Sequence, residues 1–199
     1  MERTAMLPAA ERLVADLRQA FADGLEETAR WRHCRGLLQT LLGDGELRAH
    51  AEAWPVTGFD GRKVSNLLFY VDPDYGFAIN ALIKNPGGRA MVHDHGPSWT
   101  IYGLLRGTER IVRYDAAPCD NDSDGGRFRI TETESRTCGP GEVDIVPPGQ
   151  IHCEFAGDEK SIAVIVRSRR SGTFDQFRYL DDGSRTVMRG PEQIPYKLS

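Results

Sequence analysis

From about Val64 onward, the sequence consists of short apolar runs separated by residues that are typical of tight turns. The separators DPDYG, NPGG, DNDSDGG, CGPG and VPPGQ are rich in Gly, Pro, Asp and Asn, which favour the dihedral angles and local hydrogen bonds of turns. Many short strands at this spacing indicate an antiparallel sandwich or barrel rather than alternating strands and helices. The predicted strands cover residues 66–71, 77–84, 90–93, 100–105, 108–114, 128–134, 142–146, 152–155 and 161–167.

The first quarter of the chain has the periodicity of helices instead. Apolar residues recur at intervals of four between Leu13 and Phe21, which predicts a helix that ends near Gly24. A second helix is predicted over residues 25–42, before the breaker GDGE. We therefore expect one domain in three parts. These are a helical segment over residues 1–60 packed on the barrel, the β-barrel over residues 61–170, and a C-terminal hairpin and tail over residues 171–199.

Charge and composition exclude several classes of partner. The net charge is −4 and there is no basic stripe to neutralise phosphates, so we expect no nucleic-acid partner. No run of 18 apolar residues exists, and we expect no membrane span. The four cysteines have no CxxC spacing, which is typical of free thiols in a reducing cytoplasm. A cytoplasmic protein, either a monomer or a homodimer, is the expectation.

Three histidines form the candidate site. His93 and His95 are two positions apart, so on a strand both imidazoles lie on the same face. If that face is the barrel interior, two neutral imidazoles lie side by side, and a metal ion is the partner that makes this favourable. His152 follows a predicted strand and a Pro-Pro-Gly turn, 57 positions after His95. Only a closed sheet can bring the two segments together around one metal ion.

These segments resemble the two motifs of the cupin superfamily. Residues from Gly141 to His152 follow the pattern G-x5-P-x-G-x2-H, and the earlier His-x-His pair is similar to the first motif. Trp99 and Thr100 stand where the first motif commonly has a glutamate, so the resemblance implies a three-histidine site. This departure, HDHGPSW and the Gly-Thr-Glu that ends at Glu109 resemble the thiol dioxygenases, namely cysteine dioxygenase and 3-mercaptopropionate dioxygenase. The implied fold is an all-β, cupin-type double-stranded β-helix, or jelly-roll barrel, with an N-terminal helical segment.

The resemblance also implies a reaction. Three imidazoles on a divalent ion leave open positions where a substrate and O2 can bind side by side. We expect a mononuclear non-heme iron(II) dioxygenase that oxidises a small anionic, thiol-bearing substrate with O2, with zinc, manganese or nickel as alternative metals. Two other interpretations stay open. One is another metal-dependent cupin enzyme, either a dioxygenase of an enolic or aromatic substrate or a non-redox isomerase, and the other is a non-catalytic, ligand-binding cupin.

The surroundings of the site depart from cysteine dioxygenase. Where that family has a Ser-His-Tyr series after the third ligand, this sequence has an isoleucine followed by Arg167 and Arg169. If both arginines face the lumen, Arg167 binds the anionic substrate with Arg169 beside it, and the alternative is that both face water. Ser98 and Trp99 are expected to line the substrate pocket. Tyr102 is expected either to donate a hydrogen bond to bound oxygen or to pack in the core.

Overall fold

The computed structural model describes residues 6–55, 64–119 and 127–199. The predicted turn DNDSDGG, at residues 120–126, and the predicted boundary near residue 60 therefore lie outside the described residues. The described helices are α1 (Pro8–Ala22), α2 (Glu27–Leu42) and α3 (Gly45–Ala51). The described strands are β1 (Val64–Val71), β2 (Ala78–Lys84), β3 (Thr100–Arg106), β4 (Glu109–Pro118), β5 (Phe128–Cys138), β6 (Val143–Val146), β7 (Ile151–Ala156), β8 (Ser161–Arg167), β9 (Gln176–Tyr179), β10 (Arg185–Met188) and β11 (Ile194–Pro195).

The two predicted helices are present, and a third follows them. α2 begins where the Glu26 carboxylate accepts the backbone N–H groups of Thr28 and Ala29. The sequence GDGE was expected only to break the helix, but Asp44 accepts the backbone N–H of Leu47 at 2.9 Å and so starts α3. Among the described residues, none of the helices has the length and apolarity needed to cross a bilayer.

The strands form two sheets. The first has the order β11-β1-β2-β8-β3-β6, and the second contains β5-β4-β7. Residues 89–93 extend the second sheet, because His93 bridges both to His152 of β7 and to Arg178 of β9. In the C-terminal stretch, β9 and β10 form an antiparallel hairpin, and β11 runs parallel to β1, with Leu67 opposite Ile194.

The strand pairing identifies the architecture. β2 pairs with β8, residues 89–93 with β7, β3 with β6, and β4 with β5. Read along the chain, the first of these stretches pairs with the last, the second with the last but one, and so on inward. This nested pairing across two facing sheets is a double-stranded β-helix. The predicted fold class, an all-β cupin-type jelly-roll barrel with N-terminal helices, is confirmed. Residues 90–93, predicted as a strand, make isolated bridges instead of a continuous ladder.

The first sheet separates the helices from the lumen. On β8, Ile162, Val164 and Val166 pack in the same buried cluster as the helices, whereas Ala163 and Ile165 belong to a second cluster with Tyr102. α2 lies directly on β3, where a Cβ atom at Gly103 would be 2.7 Å from Leu42 Cδ1. Alternation along β8 therefore points Ser161 and Arg167 into the lumen.

Candidate metal centre

The fold brings the three predicted ligands together. His93 and His152 exchange two backbone hydrogen bonds of 3.0 and 2.9 Å, so residues 89–93 and β7 hold their imidazoles side by side. The ring centroids are 4.5 Å apart for this pair and 4.6 Å apart for His95 and His152. One nitrogen from each ring lies within 4.8 Å of the other two. The three imidazoles thus form a group that can hold a divalent metal ion.

Backbone carbonyls set the orientation of two rings. His93 Nδ1 lies 2.8 Å from the carbonyl oxygen of Met91, and His152 Nδ1 lies 2.9 Å from that of Gln150. A carbonyl only accepts, so each Nδ1 carries a proton, and in the neutral ring each Nε2 keeps a lone pair. His93 Nε2 is 3.2 Å from His95 Nε2, so nitrogen atoms of the two motifs converge. This donor set fits a cation, because imidazole nitrogens that are oriented by backbone carbonyls are ordinary metal ligands.

Burial keeps the imidazoles of His93 and His95 neutral. Burial and the neighbouring His152 together lower the pKa of His93 to about 4. Burial also lowers the pKa of His95 well below its ordinary value, with the Arg167 guanidinium adding to the effect. A neutral imidazole is the form that binds metal, so at neutral pH protons do not compete for these two ligands.

Two glycines fix the loops that carry the ligands. Gly149 has a φ of 73°, and its N–H donates to the Gly96 carbonyl at 2.9 Å, which ties the two motifs together. Gly96 has a φ of 50°, and a Cβ atom there would lie 2.3 Å from the Asp175 carbonyl oxygen. Asp94, between the two histidines, accepts the N–H groups of Gly96 and Phe177 at 2.8 and 3.1 Å. Its role is to hold the loop, and its side chain points away from the metal centre.

Arg167 lies in the lumen and Arg169 does not. Arg167 is 8% exposed, and within the described residues its Nε and Nη1 have no hydrogen-bond partner. Burial lowers its pKa to about 10, with Glu154 opposing this, so the guanidinium stays charged at neutral pH. β8 ends at Arg167, and Arg169 lies beyond it as an exposed residue of a surface groove. The expectation that Arg169 contacts the substrate is therefore not met, whereas substrate binding by Arg167 stays a prediction.

Ser98 and Trp99 do not line the lumen as expected. Trp99 stacks on Trp31 of α2, with ring centroids 6.3 Å apart and planes 6° apart. Thr100 and Tyr102 lie on the face of β3 that points into the barrel. Trp99 directly precedes Thr100, so its side chain lies on the opposite face, toward the helices. Ser98 is buried, but its hydroxyl is 3.0 Å from the Trp99 carbonyl oxygen and 3.3 Å from Ser168 Oγ. Both residues hold the loop against the helical side.

The Tyr102 hydroxyl is hydrogen-bonded to Glu109 and Lys84. It donates to Glu109 Oε2 at 2.8 Å and accepts from Lys84 Nζ at 2.8 Å. Lys84 and Glu109 form an ion pair of 2.6 Å in which both side chains are fully buried, and Ser161 also donates to Glu109. Burial and the Glu109 charge raise the pKa of Tyr102 well above its ordinary value. The expected hydrogen bond from Tyr102 to bound oxygen is not available in this arrangement.

One residue at the centre was missed in the sequence. Glu154 is 4% exposed and lies two positions after His152 on β7, so both side chains enter the lumen. Its Oε1 is 3.3 Å from His152 Nε2. Burial opposes ionisation, yet contact with His152 and the charge of Lys84 hold the pKa of this carboxyl well below its ordinary value. The available signal was the His-x-Glu alternation on a strand that already carried a predicted ligand.

The known proteins that match this chain are solved structures of low sequence identity. No family model and no curated protein matches the sequence. A recombinant oxalate oxidase in complex with glycolate is 18% identical with a TM-score of 0.44, over 60% of this chain and 56% of its own. KdgF from Halomonas sp. is 14% identical with a TM-score of 0.45, over 62% of this chain and 94% of its own. The Schizosaccharomyces pombe Cnp3 cupin domain is 11% identical with a TM-score of 0.45, over 60% of this chain and 72% of its own. This chain thus spans just over half of the oxalate oxidase, and the fold assignment comes from the strand pairing described above.

Proposed function

We propose that this protein is a mononuclear non-heme iron(II) dioxygenase that oxidises a small anionic, thiol-bearing substrate with O2. The observation that carries the proposal is a buried cation, Arg167, whose Nε and Nη1 have no hydrogen-bond partner among the described residues, in the same lumen as three clustered imidazoles. When bound, iron(II) would supply open positions for the thiolate and O2 and the capacity for electron transfer. The net reaction adds both atoms of O2 to the sulfur of a thiol, which gives a sulfinic acid with no further co-reactant.

The residues of this chain bind and orient the substrate. A guanidinium is a planar fork of donors that suits a carboxylate, and Arg167 has two donor nitrogens free. Thr100 lies opposite Arg167 in the sheet, and its buried hydroxyl also lacks a partner among the described residues. A carboxylate held here satisfies both groups. A short substrate would then reach from this wall of the barrel to the histidines with its sulfur.

The test is O2 uptake by the iron-loaded protein with a panel of small thiols. We expect uptake with 3-mercaptopropionate or cysteine, weaker uptake with cysteamine, which lacks a carboxylate, and none with propionate, which lacks the thiol. The product should carry two added oxygen atoms by mass spectrometry. Zinc-loaded protein should be inactive, because zinc does not change its oxidation state. Turnover with zinc or manganese but not iron would contradict the proposal and favour a non-redox enzyme.

A pair of arginine variants tests the substrate contact. Arg167→Ala should raise the KM for carboxylate thiols roughly 10- to 100-fold, since hydrogen bonds to charged groups contribute about 1.5–3 kcal/mol. The KM for cysteamine should change little. Arg169→Ala is the matched control, because it removes an exposed guanidinium two residues away and should leave both values unchanged. Equal kinetics for the two variants would show that Arg167 does not bind the substrate.

A further inference from the structure

We propose that Glu154 is a fourth protein ligand of the metal ion, delivered by the same strand as the third histidine. This inference rests on the proposed metal centre and deepens it. The sequence has no acidic residue at the place where the first motif commonly supplies one, since Trp99 and Thr100 stand there. The fold instead presents a buried carboxylate from β7.

The separation of Glu154 from His152 is that of two neighbouring ligands. Ligands at right angles on a metal with bonds of roughly 2.1 Å lie about 3 Å apart. His152 Nε2 and Glu154 Oε1 are 3.3 Å apart, and His93 Nε2 and His95 Nε2 are 3.2 Å apart. Each separation is close to the distance between adjacent ligand atoms on one metal ion.

The hydrogen bonds of His152 and Glu154 also favour metal ligation by Glu154. His152 Nδ1 is occupied by the Gln150 carbonyl, so the ring nitrogen that faces the carboxylate is Nε2, which has a lone pair when the ring is neutral. Within the described residues, Glu154 Oε2 has no hydrogen-bond partner, and no arginine or lysine is within 4.0 Å of this carboxylate. Lys84, a buried cation of the same lumen, is already paired with Glu109. The contact of this buried carboxylate is with His152, and a divalent ion beside both residues would stabilise its charge further.

Ligation requires a small movement. Glu154 is outside the group of atoms that all lie within 4.8 Å of one another, so its side chain must turn inward when the metal binds. Rotation about its own side-chain bonds suffices, since β7 holds its backbone beside His152. The result is a site with three neutral donors and one anionic donor. Its net charge with a divalent ion is then one unit lower than that of three imidazoles alone, and an octahedral ion keeps two positions for substrate and O2.

The experiment measures metal binding without turnover. Metal-free protein is titrated with cobalt(II) against a competing chelator, for the natural chain and for Glu154→Gln, Glu154→Asp and Glu132→Gln. Glu132 is an exposed acid on β5 and serves as the control. We expect Glu154→Gln to bind cobalt(II) at least about 10- to 100-fold more weakly, the range known for residues that only support ligands. Its visible absorption should be stronger per bound ion, because lower coordination numbers give more intense cobalt(II) bands. Glu132→Gln should match the natural chain.

Glu154→Asp distinguishes direct ligation of the metal ion from a purely electrostatic effect of the carboxylate. It keeps the carboxylate but shortens the reach by one methylene, so a ligand role predicts weaker binding and an altered spectrum here too. Binding and a spectrum equal to those of the natural chain, in either Glu154 variant, would overturn this inference and leave the metal centre intact. A natural chain that binds no cobalt(II), iron(II) or zinc would instead overturn the proposed function itself.

Discussion

The lumen contains two buried polar clusters that differ in how completely their groups are paired. The closed cluster consists of Lys84, Tyr102, Glu109 and Ser161, and each member is hydrogen-bonded to another. The open cluster consists of His93, His95, Thr100, His152, Glu154 and Arg167. Its unpartnered buried atoms, within the described residues, are His95 Nδ1, Thr100 Oγ1, His152 Nε2, Glu154 Oε2, Arg167 Nε and Arg167 Nη1.

The same strands build both clusters. β8 contributes Ser161 to the closed cluster at one end and Arg167 to the open cluster at the other. β3 contributes Tyr102 to the closed cluster and Thr100 to the open cluster. Because buried polar groups in proteins are almost always paired, the closed cluster is explained by stability alone. The open cluster is not, and its missing partners are those that a metal ion and an anionic ligand supply.

The largest expected effect comes from breaking the closed cluster. Lys84→Met leaves the Glu109 carboxylate buried without its ion-pair partner, which should lower the free energy of unfolding by about 3–5 kcal/mol. Urea denaturation followed by circular dichroism measures this. The double variant Lys84→Met, Glu109→Leu removes both charges and should recover most of the loss. A single variant as stable as the natural chain would show that this pair is not the structural centre of the lumen.

The second largest effect is expected from His95→Gln, which should lower metal affinity with little change in stability. His95→Gln removes an imidazole whose Nδ1 has no partner among the described residues, so the free energy of unfolding of the metal-free protein should change by only about 1 kcal/mol. Affinity for iron(II) or zinc should fall by at least about 100-fold, since even supporting residues contribute 10- to 100-fold. Chelator competition measures the affinity. His33→Gln, at an exposed position on α2, is the control and should bind metal normally. Strong destabilisation by His95→Gln with intact metal binding would reverse the assignment of the two clusters.

Local sequence signals were sufficient for most of the fold. Turn residues and short apolar runs predicted each of β1 to β8, because both features act within a few residues, although β4 and β5 extend four residues beyond their predicted ends. α3 was missed because Asp44 was interpreted as part of a breaker, whereas its side chain caps the next helix. β11 was missed because its two residues have no period of their own, and its pairing with β1 spans most of the chain.

The histidines were predictable, and their surroundings were not. His93, His95 and His152 have a motif that depends only on spacing and on a turn. The closed cluster has none, because Lys84 and Glu109 are 25 residues apart and meet only through the strand register. Trp99 was assigned to the lumen because it is near the ligands in sequence. The alternation that places Tyr102 inside the barrel places Trp99 against the helices.

A smaller effect is expected from Arg167→Met in the metal-free protein. Among the described residues, Nε and Nη1 of this buried cation have no partner, so an apolar side chain of similar length should raise the free energy of unfolding by about 1–2 kcal/mol. Arg169→Met, at the exposed neighbouring position, should change it by less than about 0.5 kcal/mol. Thermal or urea denaturation measures both. A marked loss of stability in Arg167→Met would mean that the guanidinium has a structural partner, which would remove it from the open cluster.

The smallest effects compare one hydroxyl from each cluster. Ser161→Ala removes a donor to Glu109 and should lower the free energy of unfolding by about 1 kcal/mol, because the carboxylate loses a buried hydrogen bond. Thr100→Val removes a buried hydroxyl that has no partner in the part of the chain that the structure describes, so the unfolding free energy should stay within about 0.5 kcal/mol of the natural value or rise slightly. Both variants sit on lumen-facing strand positions and remove one hydroxyl each, so urea denaturation under identical conditions compares the clusters directly. Equal losses in the two variants would show that the Thr100 hydroxyl is paired in solution, and that the open cluster is as complete as the closed one.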